Sequence, residues 1–311
     1  MTRDLDVFVV GGVGIDTIVR VPSLPPEDRE SFQVPHVESY VAHTGHGVAF
    51  GCHALGLRTA LADVIGSDAE GGRILATYAE AGVELHHVTD ESGTRRAVNL
   101  VEPGGRRMSF YDARHPADLV PDPLLWTRGT ERARHVHVSI MGWARHALAD
   151  AVAAGVPTST DLHDWDGANP YHREFARLAD IVFVSGSALV DQRGDRVDDV
   201  LAAILRDGRA RVAVAMDGER GSRVAVPGSA VVRIPAVIVP GRPVVDSNGA
   251  GDSYVAAFLR TVLGADGEPD WYAAARAGAV GGAWACGTAG THTSFVDGPT
   301  LDSLLARATA G

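Results

Sequence analysis

The chain has 311 residues, 45% hydrophobic and 22% charged, and its 28 basic against 39 acidic side chains give a formal net charge of -11. Every one of the 28 cations is arginine, so a Walker A loop, a protein-kinase strand lysine, a pyridoxal phosphate Schiff base and a lysine-dependent aldolase are all excluded. The acidic balance argues against a nucleic-acid partner, no apolar run is long enough for a membrane span, and two cysteines, Cys52 and Cys286, cannot form a disulfide framework and show no zinc-type spacing.

From the N-terminus, Met1–Asp6 has no signal-peptide pattern, which with the cysteine usage sets a cytoplasmic expectation. Asp6–Val10 reads as a buried strand ending in a Gly11-Gly12 turn. Asp16–Pro22 and, after a proline-rich link through Pro25-Pro26, Ser31–Val41 with alternating character read as exposed strands outside a main sheet. Gly47–Leu55 has helical pattern and stops at Gly56; Thr59–Val64 is a strand; Asp68–Ala81 is a helix with Ser67 as cap and Gly82 as stop. Arg96–Val101 and Arg107–Tyr111, joined through Pro103-Gly104-Gly105, read as a hairpin.

Beyond it strands recur at His135–Ile140, Val156–Asp161, Ile181–Val184 and Val212–Met216. Helices fall at Trp143–Ala154, Tyr171–Leu178, Arg196–Arg206, Gly251–Leu263 and Trp271–Cys286. That alternation predicts an α/β fold, a doubly wound, mostly parallel sheet with helices on both faces. The two all-strand excursions, about 16–43 and 95–114, are expected to form a small β-strand lid over the carboxyl edge of a single domain spanning 1–311.

The strongest chemical signal is Asp246-Ser-Asn248-Gly249-Ala250-Gly251-Asp252, where a strand end meets a glycine turn that opens into a helix. Such a turn presents free backbone N–H groups to an anion, and the helix dipole favours the negative charge. Asp252 in the first turn would stand beside the bound anion, or would only complement the dipole.

That segment resembles the D-T-x-G-A-G-D signature of the PfkB, or ribokinase-like, carbohydrate and nucleoside kinases. Further resemblances run along most of the chain: Val10–Asp16 is similar to the first strand with its substrate aspartate, Val21–Glu27 to an early proline-containing turn, Gly45–Gly56 and Leu61–Gly71 to the first helix and the following junction, and Val214–Gly221 to the nucleotide-side turn. The resemblance implies an ATP- and Mg2+-dependent kinase phosphorylating a small sugar or nucleoside. Asp252 would be the base and Gly249, Ala250 and Gly251 the anion hole. Asp16 would bind acceptor hydroxyls, with Thr44, Gly45, His46 and Gly47 nearby and Asn99, Tyr111 and Arg114 reaching from the lid. Met216, Gly218, Gly221, Asn248, Ala279 and Gly282 would line the nucleotide. Asp246 would lie at the monovalent-cation (K+) site of many members, and lid strands would pair two subunits into a homodimer.

Three departures qualify the match. Where the family has two glycines and then an asparagine that contacts the acceptor, this chain has Ala42, His43 and Gly47, with Thr44 where some sugar kinases carry lysine. Ser185-Gly-Ser-Ala188 stands where N-x-x-E is expected, leaving Asp161 or Asp164 to supply acid, and Met216 replaces a threonine. The pocket is therefore not the common ribose pocket. Loss of N-x-x-E leaves a catalytically weak sugar- or nucleotide-binding regulator as an alternative reading. His135-x-His137 with Asp161 and His163 would fit a metal-dependent hydrolase, although strand histidines are more often packed. Gly12-x-Gly14 runs on as strand and is not a dinucleotide fingerprint. Arg95-Arg96 and Arg106-Arg107 read as a solvated lid face, or as an arginine closing over substrate; His86, His87 and His292 read as surface or loop residues; Trp143, Trp165 and Trp271 read as packing.

Overall fold

A computed structural model gives the fold and describes residues 3–103, 105–112, 114–191 and 194–308. Gly104 of the expected hairpin turn, Ala113 at the end of the second excursion, and the extreme termini lie outside the described residues. In chain order the strands are β1 (Leu5–Val10), β2 (Gly14–Arg20), β3 (Val37–Ala42), β4 (Thr59–Gly66), β5 (Glu84–Asp90), β6 (Arg96–Val101), β7 (Arg107–Tyr111), β8 (Ala133–Ser139), β9 (Thr158–Asp161), β10 (Ile181–Ser185), β11 (Val190–Asp191), β12 (Gly194–Asp195), β13 (Val212–Met216), β14 (Ser222–Ala225) and β15 (Val232–Ile234). The helices are α1 (Thr44–Ala54), α2 (Ala69–Ala81), α3 (Leu124–Arg132), α4 (Ala144–Ala153), α5 (Pro170–Leu178), α6 (Val197–Asp207), α7 (Ala250–Leu263), α8 (Trp271–Ala285) and α9 (Gly298–Ala308).

The main sheet has nine strands in the order β15-β14-β13-β10-β9-β8-β1-β4-β5. It is parallel from β13 to β5, with β14 and β15 added antiparallel at one edge. Alternation along a strand sends successive side chains to opposite faces. In β1, Phe8 and Val10 accordingly join the core with Trp126, Trp143 and Phe175, while Val7 and Val9 join the one with Phe183 and Phe258. Both faces are covered, as a parallel sheet requires.

The two excursions form a second, four-stranded sheet in the order β3-β2-β6-β7. Residues 21–36 contribute no strand to it, since the prolines and acidic residues there supply neither alternation nor a full set of N–H donors. The expected hairpin has the boundaries read from sequence. Registers place Asp16 opposite Ala97 and Ala97 opposite Tyr111, and put Ile18, Asn99 and Ser109 in the next row of that face.

Asp68, not Ser67, caps α2: its carboxylate accepts from Gly71 N at 2.9 Å and is also held by Thr94. Burial opposes ionisation of the Asp68 carboxyl, but the Thr94 hydroxyl and amide, the Gly71 amide and the charge of Arg96 outweigh it and hold the group at about 2. The edge strands β5, β14 and β15 and the helices α3 and α9 escaped the sequence reading, since short edge segments carry little periodicity. Arg95 is also placed differently from the expected solvated face. It is buried, with Nη2 2.5 and 2.6 Å from the two carboxylate oxygens of fully buried Asp63, which also accepts from Val13 N at 2.7 Å.

Candidate active site

The turn before α7 has the conformation its glycines allow. Gly249 is the helix N-cap at φ 76°, a left-handed position where a β-carbon would also press within 2.8 Å of the His292 ring. Ala250 N reaches back to Ser247 O at 3.3 Å, and the first intrahelical bond is Ser253 N to Gly249 O at 3.0 Å. The first-turn amides of Gly251 and Asp252 thus precede the start of the helical ladder, where an anion is favoured by donors and dipole together.

Asp252 is buried on that turn, and its Oδ2 is 2.7 Å from His292 Nε2. Asp16 faces the same space from β2. His43 Nε2 lies 3.1 Å from Asp16 Oδ1, yet the alignment is wrong for a hydrogen bond, and both buried atoms lack a hydrogen-bond partner among the described residues. Burial alone would raise the Asp16 carboxyl; the His43 imidazole, with smaller contributions from His292 and Arg107, holds it below the usual carboxylate range. Tyr111 rises because it is partly withdrawn from water and because the charges of Asp16 and Asp252 act on it, against Arg107. Burial also pushes Asp161, at the end of β9, upward, and the charge of Asp252 adds to it, while His163 and Arg107 oppose. Contacts link Asp16 to His43, His43 to Tyr111 with ring centroids 6.5 Å apart, Asp252 to His292, and Arg107 to Asn248 of the glycine loop, and the charges of Asp252 and Arg107 are felt by Asp161 at the end of β9.

Other expected residues are placed around that space in different ways. Gly45 packs against backbone, a β-carbon there lying 1.9 Å from Gly11 O. Thr44 opens α1. His46 is buried, its Nδ1 3.3 Å from the Tyr78 hydroxyl, and burial keeps it well below the ordinary histidine value. Neither a solvated loop nor a free ligand contact describes it. Asn99 Oδ1 accepts from Ser109 Oγ at 2.6 Å within the small sheet. Arg114 pairs with Asp112 and lies near Asp68, so its partners are outside the cluster. On the opposite flank, Met216 ends β13 against Gly251, and Gly218 and Gly221 bracket the turn after it. Gly282 lies against Ala250 O at the first turn of α7, with Ala279 one turn earlier on α8.

Asp246 differs most from its expected role. Its Oδ2 takes Arg20 Nη2 at 2.6 Å and Gly290 N at 3.2 Å, and its Oδ1 takes Asn248 N and Nδ2 at 3.1 and 2.7 Å. A carboxylate so engaged, with a guanidinium already on it, does not fit a potassium ion. Arg107 Nη1 reaches Asn248 Oδ1 at 3.3 Å, so β2 and β7 both touch the glycine loop.

Sequence reasoning missed His292 and Arg20 as parts of this cluster, whereas Arg107 was one of the arginines expected either on a solvated lid face or closing over the substrate. The one available signal was Gly47, the glycine in place of an expected polar residue. His135 and His137 are both buried and both hydrogen-bond the Ser159 hydroxyl, at 2.7 and 2.9 Å. Burial lowers them to about 4 and about 3, so they form a neutral packed pair. No group of three or more metal-ligating side chains occurs among the described residues. A cavity of about 430 Å³ lies at the opposite edge, beside Arg134, Asp180 and Trp271.

A profile of the pfkB family carbohydrate kinases matches residues 4–297. The acarbose 7(IV)-phosphotransferase of an Actinoplanes species is 42% identical over 303 residues, which are 97% of this chain and 98% of that one. The structure of a microbiome-derived acarbose kinase is 58% identical, with a TM-score of 0.89 over 97% of this chain and 99% of that one. A ribokinase from Giardia lamblia shares the fold at 17% identity, with a TM-score of 0.82 over 98% and 99% of the two chains.

Proposed function

The chain belongs to the pfkB family of carbohydrate kinases, and from that premise we propose that it phosphorylates an acarbose-type oligosaccharide, with Asp252 receiving the proton of the attacking hydroxyl. It is an ATP-dependent kinase acting on a sugar hydroxyl. The observation that carries the acceptor reading is the buried pair Asp16 Oδ1 and His43 Nε2, 3.1 Å apart and with no partner but each other among the described residues. A sugar hydroxyl can donate to one and accept from the other. Ala42, His43 and Gly47 in place of the usual glycines and asparagine argue against a ribose pocket, and the two acarbose-kinase relatives support a larger acceptor.

In the mechanism we infer, the ATP phosphates meet the first-turn amides of α7, and Arg107 supplies positive charge from the small sheet, which serves as a lid. A carboxylate is too weak a base to deprotonate a sugar hydroxyl beforehand. In a loose phosphoryl-transfer transition state the proton moves late, so Asp252 first orients the oxygen and then accepts the proton. Preorganised amides stabilise charge where it grows on the transferred group. A magnesium ion would enter with the nucleotide and neutralise phosphate charge. Among the residues present Asp161 is the carboxylate that would share it, since it is buried at the end of β9 within electrostatic reach of Asp252 and would gain from a cation. The missing N-x-x-E is compatible with that assignment. Met216, Gly218, Gly221, Asn248, Ala279 and Gly282 remain the proposed nucleotide side.

ADP release with ATP and Mg2+ across acarbose, maltotriose, fructose, ribose and adenosine tests the acceptor. Acarbose is expected to turn over fastest; ribose or adenosine exceeding it would overturn the assignment, and silence across the whole panel would favour a binding-only protein.

The engaged Asp246 leads to a second expectation. With Arg20 as the resident cation, replacing K+ by tetramethylammonium at constant ionic strength should leave wild-type turnover unchanged, whereas Arg20→Met should lower turnover and make it respond to K+. Strong potassium activation of the wild type would contradict this.

We place the enzyme in the cytoplasm, and no helix among the described residues is long and apolar enough to cross a membrane. A homodimer through the lid is also proposed: the outer face of the small sheet exposes Val37, Val98, Met108 and Phe110, an apolar surface of the kind a second copy covers. Phe110→Asp is expected to shift sedimentation to the monomer; a wild type that sediments only as monomer refutes the pairing.

A further inference from the structure

His292 occupies the volume that a side chain at position 47 would need. A β-carbon built on Gly47 of α1 falls 2.3 Å from His292 Nε2 and 2.7 Å from Asp252 Cβ. The imidazole and any larger residue at 47 therefore exclude each other. The family's asparagine is expected at 47, and this chain has glycine there. Gly249 makes the second opening, its hypothetical β-carbon 2.8 Å from His292 Cδ2. The ring is thus admitted from two sides by glycines on separate elements.

The ring is also fixed. His292 adopts φ 55°, a left-handed conformation that is uncommon for a residue with a β-carbon, and its side chain is 3% exposed. It lies parallel to Phe295, with 6.2 Å between centroids, and edge-on to His46 at 5.6 Å. Its Nδ1 is 3.4 Å from Thr291 Oγ1. Local backbone strain kept in place by packing is a pattern of functional sites.

We infer that His292 is a positioning residue for phosphoryl transfer, which takes over the space given up at position 47 and holds the Asp252 carboxylate through Oδ2, leaving Oδ1 for the acceptor hydroxyl. The inference rests on Asp252 being the base. In it Nε2 carries the proton and donates it to Oδ2 as a hydrogen bond, and no proton is transferred along that bond. A carboxylate held on one oxygen keeps the other in line with the hydroxyl, and small misplacements in such geometry are expensive in rate.

The test compares two substitutions with ATP, Mg2+ and acarbose. His292→Phe fills the ring's volume without a donor; His292→Gln keeps an N–H donor. The Phe variant is expected to lose about 10²-fold in kcat with the KM for ATP unchanged, and the Gln variant to recover most of it. Equal activities for the two variants, or an unimpaired Phe variant, overturn the positioning role. Independently of turnover, the ¹⁵N resonance of His292 Nε2 should shift in Asp252→Asn; an unmoved signal refutes the pair. Gly47→Asn should lower thermal stability, and adding His292→Ala should recover part of it, the crowding against Asp252 Cβ at 2.7 Å staying in place; a double variant no more stable than Gly47→Asn overturns the shared-volume claim. If Asp252→Asn itself stays active, the base assignment fails. If Asp252→Asn is inactive and His292→Phe is not, only the role of His292 fails.

Discussion

Asp252→Asn should lower kcat by about 10³-fold, the scale of a positioned general base, while ATP still binds with near-normal affinity. The substitution keeps the shape of the side chain and its place in the first turn of α7. It removes the oxygen able to accept a proton and puts an amide against His292 Nε2 at 2.7 Å. Nucleotide contacts assigned to the β13 turn and to α8 are untouched. Steady-state kinetics together with calorimetric ATP titration check the two halves separately. Near-normal turnover would remove Asp252 from the mechanism, and loss of ATP binding would mean that the substitution disturbs the glycine loop instead.

Arg95→Met is expected to destabilise the fold by about 3–5 kcal/mol, because it leaves a buried carboxylate without its counter-charge. Asp63 is fully buried in β4, and Arg95 is the guanidinium bound to both its oxygens. Two backbone amides, from Val13 and Val64, remain as donors and do not carry a full charge. Denaturant unfolding should give this loss for Arg95→Met and a smaller one for Arg95→Met combined with Asp63→Leu, since the double substitution removes the orphaned charge as well. Equal losses in both would show that packing, not charge, is what Arg95 contributes. The effect would extend to the site: Val13 N binds Asp63, and Asp16 follows three residues later on β2.

What could be read from sequence has a common physical character. The glycine turn 249–251 with Asp252 is local, and its chemistry follows from a strand end, small residues and a helix start within seven positions. The parallel sheet was legible because β1, β10 and β13 are nearly continuous apolar runs, and the hairpin because its strands flank a Pro-Gly-Gly turn. What escaped depends on distance along the chain. His292 meets Asp252 across 40 positions, Arg95 meets Asp63 across 32, and Arg20 meets Asp246 across 226. No periodicity marks such pairs. Seen alone, each of these three residues has the profile of a solvated side chain.

The absence of lysine takes on its meaning in these same pairs. Arg20 on Asp246, Arg95 on Asp63 and Arg107 at Asn248 place guanidinium groups under and beside the proposed site. A guanidinium offers several donors in one plane and stays charged when partly buried, so it can bind a carboxylate and reach a second acceptor at once. In this chain arginine does the structural work next to the glycine loop, and the proposed anion hole itself is made of backbone.

The most direct measurement is a crystal structure with acarbose and a non-hydrolysable ATP analogue bound together. The expected result is one acceptor hydroxyl within about 3 Å of Asp252 Oδ1, in line with the γ-phosphorus, with a neighbouring hydroxyl bridging Asp16 and His43. An acceptor whose hydroxyls all lie out of reach of Asp252, with another side chain on the attacking oxygen, would contradict the account.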